Sequence, residues 1–318
     1  MISYYVLRDN VLQTTDVAAS AHWIHLCPPL EPNEIDELSK SADIPLDFFV
    51  DSLDIDERSR YDREDGTKLI LLNTPVLNNE LRDNQAIYIT VPIGIIIQDE
   101  IIYTVSQIDN PIIDKFITQK VRGFDPLDHT KFILKIFQES VLSYLDALKK
   151  LNLKRNLIEQ ELFNSSRSSE LKQLLRIEKS LVYFVNSLRA NDLLMLKMKR
   201  TDFLKIAGIE YYEDLFEDII IDNGQSLEMS NVYTNILSGT MEAYASIISN
   251  NMNVFIHRLT IITIILMVPT LVASFYGMNL DHLPFSKSPF TFYFLILFSI
   301  ILGMFLIWFF RRAQQNIK

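Results

Sequence analysis

The chain has 318 residues, a formal net charge of −10, 48% apolar residues and one cysteine, Cys27. That length holds one large domain or two. The acidic balance, with no Lys/Arg stripe interleaved with aromatics, argues against a nucleic-acid partner, and a lone cysteine excludes a disulfide framework. The opening MISYYVLRDNVLQTTD has no basic stretch leading into an apolar core, so it does not read as a signal peptide, and the first 250 residues are expected in the cytoplasm. Up to about residue 128, short runs rich in Ile, Val, Leu and Tyr alternate with polar turns. KLILLNTPVL, AIYITVPIGIIIQ and EIIYTVS read as strands, while EPNEIDELSK and NPIIDKFITQK, each with a proline near its start, read as helices. HWIHLC reads as a strand rather than a zinc site, because His22, His25 and Cys27 lack a second ligand pair. DSLDIDERSRYDRED reads as a solvated surface segment.

From Lys131 the pattern turns helical: Phe132, Ile136, Val141, Leu145, Leu148 and Leu151 recur every three to five residues. FNSSRSSE interrupts it, with Ser168 or Ser169 as an N-cap, and Leu171, Leu174, Leu175, Leu181, Val185 and Leu188 continue on a second helix. An antiparallel helical hairpin is expected over 131–200. Between Lys205 and Arg258 there is no Lys or Arg, and no proline follows Pro126 until Pro269. One helix from about Glu210 therefore runs into the apolar segment beyond, on the order of 100 Å at 1.5 Å per residue.

Leu259 to Leu280 and Pro289 to Phe310 are each 22 residues without a charged side chain. About 20 helical residues cross a hydrocarbon core, so the two runs read as a membrane hairpin rather than a pair of buried core helices. Arg258 precedes the first run, and Arg311, Arg312 and Lys318 follow the second. Basic residues favour the cytoplasmic side, which puts both termini inside and GMNLDHLPFSKS outside.

Steps of three and four from Asn253 mark one face of the long helix. Backward they reach Ser249, Ser246, Glu242, Gly239 and Asn235; forward they reach Ile256, Leu259, Thr263, Met267 and Thr270. The face is small and polar, then apolar, then polar again. A helix lining a symmetric pore would look like this, with the apolar belt gating by excluding water. So would a coiled-coil seam with polar register residues. The absence of Lys and Arg favours a path for cations. Glu210, Glu213, Asp214, Glu217, Asp218 and Asp222 add an acidic cluster that suits divalent cations or simply the helix dipole. No Gly-rich phosphate loop and no Ser/His/Asp or Cys/His constellation suggests ATP-driven pumping or catalysis.

The run SIISNNMNVFIHRLTIITIILMVPTLVASFYGMN, followed by a second span and a short basic tail, resembles the CorA family of magnesium channels. The resemblance rests on Gly277-Met278-Asn279 preceded by Tyr276, the Pro269-Thr270 step and Asn253. It implies an α+β cytoplasmic domain, α/β/α sandwich-like, followed by very long stalk helices and a two-helix transmembrane hairpin, in a funnel-shaped homopentamer in the cell membrane. The implied division is 1–128 for the α/β domain, 129–208 for the helical hairpin, 209–255 for the stalk helix and 256–318 for the pore domain, with an extracellular loop near 277–288.

The resemblance further implies a channel for hydrated magnesium, with cobalt and nickel as further cargo, no cofactor, and magnesium as both substrate and regulatory ligand. Gly277, Met278 and Asn279 would form the extracellular ion-binding mouth. Asn253, Ile256, Leu259, Thr263, Met267 and Thr270 would line the pore below it, with Glu242 as an acidic ring. Asp218 would be a regulatory metal ligand between subunits, its partner lying within Asn78–Asp83. Where relatives carry Met-Pro-Glu-Leu, this loop keeps Leu283-Pro284 without the Glu, leaving Asp281 to attract cations. ZntB-like zinc transporters usually have Ile in place of Met278. The competing readings are proton-coupled zinc transport on the same fold and a membrane-anchored cytoplasmic sensor.

Overall fold

The computed structural model describes residues 1–8, 11–78, 85–164, 168–278 and 290–315. It divides into two compact units, Met1–Met241 and Glu242–Lys318.

The first unit is built on a seven-stranded sheet of β1 (Ile2–Arg8), β2 (Val11–Thr15), β3 (Trp23–Leu26), β4 (Arg60–Glu64), β5 (Thr67–Leu77), β6 (Tyr88–Gln98) and β7 (Ile101–Ser106), in the order β2-β1-β3-β7-β6-β5-β4. Every neighbouring pair is antiparallel except β3 and β7, which run parallel with Trp23 opposite Ile102. The near-continuous apolar runs of β5, β6 and β7 are buried on both faces, as such composition requires. Helices α1 (Pro32–Ala42) and α2 (Leu46–Leu53) belong to one face, where Phe48 and Phe49 join Ile24, Leu26, Leu69, Leu71, Ile96 and Val105. On the other face lie α3 (Pro111–Ile117), α4 (His129–Asn164), α5 (Ser168–Arg200) and the start of α6 (Glu210–Tyr276), around Trp23, Ile70, Leu72, Ile93, Ile95 and Phe132. The result is an α/β/α sandwich.

The hairpin α4–α5 shares the sheet's core. Leu174, Ile177, Leu181, Phe184, Leu188, Asn191, Met195 and Met198 alternate at three- and four-residue steps along α5 and are nearly inaccessible to solvent, the spacing of a knobs-into-holes seam. Asn191 is the polar member. Its amide donates to Asn73 O at 2.8 Å, and its Oδ1 accepts from Ser59 Oγ at 2.6 Å. Tyr144 Oη also donates to Asn73 O, at 3.1 Å. Backbone groups of β5 are thus satisfied by side chains of both helices, which fixes the hairpin on the sheet.

Two local expectations are corrected. DSLDIDERSRYDRED is not merely solvated: it contains the end of α2 and all of the edge strand β4. Arg60 pairs with Asp51 at 2.6 Å and with Glu57, and the Tyr61 ring centroid lies 4.3 Å from that of Phe203, the two rings tilted by 40°. Ser168 and Ser169 are already helical in α5, and the Ser169 hydroxyl donates to Glu170 Oε2 at 2.8 Å instead of capping the helix.

In β3, Trp23 Nε1 donates to Thr104 Oγ1 at 2.8 Å, and His25 Nδ1 lies 2.9 Å from the same hydroxyl oxygen. His22 Nδ1 accepts from Leu7 N, and the Cys27 thiol donates to Asp109 Oδ1 at 3.2 Å. The Nδ1 atoms of both histidines and the Cys27 thiol are thus engaged in hydrogen bonds within the sheet and its margin. Burial pushes His25 down from 6.5 to about 4. The unfolded chain therefore binds a proton at His25 that the native chain does not, so stability is full above about pH 6.5 and falls as pH drops toward about 4. The loss should be on the order of 3 kcal/mol over that window. Urea unfolding of the His25→Gln protein should show a pH slope shallower by about one proton's worth; an unchanged slope would contradict this account.

Unit Glu242–Lys318 contains the C-terminal part of α6 and α7 (Thr291–Gln315). α6 and α7 are each long and apolar enough, by length and composition, to cross a membrane.

Candidate ion-conduction face of the long helix

The acidic start of α6 is tied down locally. Glu213 Oε1 accepts from Gly208 N at 3.0 Å, and Glu217 pairs with Lys199. Tyr212 Oη donates to Asp128, a bond that pushes the phenol up to about 12. Those two acids therefore serve the helix terminus and its packing. Asp218, like Glu210 and Asp214, is exposed, and its side chain has no hydrogen-bond or ion-pair partner among the described residues. Of the segment expected to carry its partner, Asn78 is described and 79–83 lie outside the described residues.

The inward face of α6 in this unit includes Phe216, Ile219, Asn223, Ser226, Ser230 and Leu237, all buried. Asn223 Nδ2 donates to Leu188 O at 3.1 Å, while the Ser226 and Ser230 hydroxyls donate back to Asp222 O and Ser226 O.

In the second unit α7 covers one side of α6. Ile261, Ile264, Ile265, Val268, Val272 and Tyr276 are half-buried. A methyl placed on Gly303 of α7 would meet Ile265 Cγ2 at 4.0 Å. An apolar cleft of about 500 Å³ between the two segments is lined by Pro269, Val272, Tyr276, Phe292, Ile296 and Ser299. At 100° per residue, the stripe Ile256, Leu259, Thr263, Met267 and Thr270 falls on the opposite side of the helix. All five are exposed, as are Glu242 and Asn253. Among the described residues, none covers these seven positions of the stripe.

The chemistry of that stripe is set by its hydroxyls. Thr263 Oγ1 donates to Leu259 O at 2.9 Å and Thr270 Oγ1 donates to Leu266 O at 2.8 Å. A threonine whose proton is spent on its own helix presents only lone pairs outward, so it acts as an acceptor. Water molecules around a divalent cation point their hydrogens away from it and need acceptors. Ser274, one step beyond Thr270, lines the same shallow groove as Thr263, Met267 and Thr270. The sequence reading stopped at Thr270; one more step of four reaches Ser274.

Pro269 donates no hydrogen bond to Ile265 O, which loosens the helix about two turns before Gly277. Gly277 N donates to Ala273 O at 2.9 Å, and a Cβ on Gly277 would sit 3.2 Å from that carbonyl oxygen, a tight contact that glycine avoids. Met278 is exposed. Asn279 lies outside the described residues.

The profile of the family described as CorA-like Mg2+ transporter protein matches residues 18–312. The chain is 27% identical over 295 residues to the cobalt/magnesium transport protein CorA of Methanocaldococcus jannaschii, covering 92% of this chain and 90% of that protein. The complete structure of the CorA magnesium transporter from the same organism matches with a TM-score of 0.77 and 25% identity, covering 98% of each chain. The full-length CmaX protein matches with a TM-score of 0.65 at 16% identity, over 92% of this chain and 88% of that one. The ZntB cytoplasmic domain from Vibrio parahaemolyticus matches at 0.59 and 12%, over 78% of this chain and 98% of that one. The last two likenesses are of fold alone. With its sandwich, its long helix and its apolar C-terminal helix, this chain belongs to the CorA-like Mg2+ transporter family.

Proposed function

We propose that the chain assembles as a funnel-shaped homopentamer and is a passive channel that carries hydrated magnesium, with cobalt and nickel as further cargo, into the cytoplasm. The observation that carries this reading is the exposed polar–apolar–polar stripe of α6 on the side away from α7. Five copies around an axis would line a pore with threonine acceptors on one side of an apolar belt and the Asn253 amides on the other. In this reading residues 256–318 form a transmembrane hairpin with both termini inside, fed by the stalk helix 209–255, while 1–128 and 129–208 form the cytoplasmic body.

Gly277, Met278 and Asn279 hold the hydrated ion at the mouth. Magnesium keeps its waters tenaciously, and a ring of neutral oxygens binds the outer shell without stripping it. The named function of the Methanocaldococcus relative, cobalt/magnesium transport, supports this cargo. Met278 also favours it over zinc. A membrane-anchored sensor would need no polar face on its anchor. Metal-resolved flux in liposomes tests the reading: magnesium flux driven by membrane potential is expected. No flux at all, or zinc flux that needs a proton gradient, would overturn it.

Asp218 is proposed as the regulatory metal ligand at a subunit interface. Magnesium bound there stabilises only the closed arrangement, so falling cytoplasmic magnesium shifts the population toward open. The Asp218→Lys protein should need at least about tenfold more magnesium for the same protection from proteolysis, the equivalent of about 1.4 kcal/mol. An unchanged protection curve would remove Asp218 from the sensor.

A further inference from the structure

One corner of the first unit collects cations that no acid answers. β4 and β5 pair antiparallel with Arg63 directly opposite Lys68, and like charges in that relation destabilise a sheet. Strand alternation turns Tyr61 and Arg63 to one side of β4 and Asp62 and Glu64 to the other. The Arg63 guanidinium lies 5.5 Å and Lys68 Nζ 5.6 Å from the centroid of the Phe203 ring. Lys197 Nζ lies 4.5 Å from the centroid of Tyr61, the ring beside Phe203.

Arg63, Lys68, Lys197 and Lys205 form no ion pair among the described residues. Two acids of this region are engaged. Asp202 Oδ1 accepts from Ile206 N and Ala207 N, and Glu217 is paired with Lys199. Partial burial, and then the charges of Arg63 and Lys205, push Lys68 below the ordinary lysine range. In a chain of net charge −10, three cations around two aromatic rings, with Lys205 near enough to act on Lys68 and none of the four in an ion pair, are an arrangement that an anion would stabilise.

We propose that Arg63, Lys68, Lys197 and Lys205 form a binding site for a soluble polyphosphate, such as inorganic tripolyphosphate or the triphosphate of a nucleotide. The aromatic faces are already occupied by cations, so the site recognises phosphate oxygens rather than a base. It prefers the metal-free ligand, because removing magnesium from a polyphosphate restores two negative charges. Such a site reads the chelator left empty when cytoplasmic magnesium is scarce. That regulatory role rests on the transport function proposed above, whereas the binding itself does not.

The test is calorimetric titration of inorganic tripolyphosphate into the full-length protein in detergent, which requires no ion flux and so stands apart from the liposome assay. Saturable binding is expected, weakened by excess magnesium and by salt. Arg63→Gln, and separately the exposed Lys197→Gln, should each weaken it by about tenfold, the size of one charge-assisted hydrogen bond. The unliganded Lys68→Gln protein should melt no lower than wild type, since it relieves a like-charged pair. Equal affinity in wild type and both Arg63 and Lys197 variants, no saturable binding, or tighter binding of the magnesium complex would overturn the proposal. So would competition by anionic-lipid nanodiscs as strong as that by tripolyphosphate, which would point to a headgroup.

Discussion

Asn279→Ala is expected to bring magnesium uptake down to the background of empty liposomes, while the purified variant keeps the assembly size of the wild type. The reasoning is chemical. A magnesium ion that retains its first shell offers only outward-pointing hydrogens, so its binding partner must be an acceptor fixed at second-shell distance. At the end of α6 the described acceptors are main-chain carbonyls, and Gly277 closes that end by donating to Ala273 O. The amide of Asn279 is the first side-chain acceptor after the helix. Alanine supplies none, and in an oligomeric ring the loss is repeated in every subunit. Asn279→Asp should differ in kind, binding the ion more tightly and releasing it slowly, so that uptake is reduced and not abolished. Wild-type uptake by the alanine variant would remove Asn279 from the mouth.

Leu259→Asn is expected to leave the channel conducting when internal magnesium is high, raising the closed-state leak by about tenfold or more. Ile256 and Leu259 are the apolar turn between the polar Asn253 and Thr263, and both side chains are exposed on the stripe. Closure by such a belt depends on its aversion to water. Fully wetting a leucine costs about 1.5–3 kcal/mol, which corresponds to about one to two powers of ten in a population. Asparagine holds water instead of expelling it. The measurement is flux from liposomes loaded with high magnesium, and a leak equal to wild type would place the gate elsewhere.

What could be read from the sequence follows from how local each signal is. β5, β6 and β7 announce themselves because strands buried on both faces are apolar at nearly every position. β4 does not: RYDRE carries one aromatic among four charges, and it is a strand because Tyr61 finds Phe203 far along the chain. The parallel pairing of β3 with β7 joins residues about 80 apart, and nothing near Trp23 encodes it. The helical hairpin and the single long α6 were legible because heptad-like spacing and the lack of proline act within a few turns. The stripe on α6 was legible for the same reason. That α7 would lie on the side away from it was not, since this depends on Gly303 meeting Ile265. The partner expected for Asp218 could not be fixed from the sequence, because carboxylates and amides are abundant in the polar turn concerned.

The inner seam of α6 over Asn223, Ser226 and Ser230 has a mechanical consequence. Along α5 most of the buried positions are bulky apolar side chains, Leu174, Ile177, Leu181, Phe184, Leu188, Met195 and Met198, that lock into their surroundings. On α6 the corresponding stretch is small and smooth, with both serine hydroxyls folded back onto their own helix. Shape therefore opposes axial slip of α6 far less than it opposes slip of α5. Between Ile219 and Leu237 the polar tie to the neighbouring helix is the Asn223 amide on Leu188 O, so this stretch of the long helix is seated like a piston rod against a plain bearing, pinned by that amide and held by bulkier side chains only at its two ends.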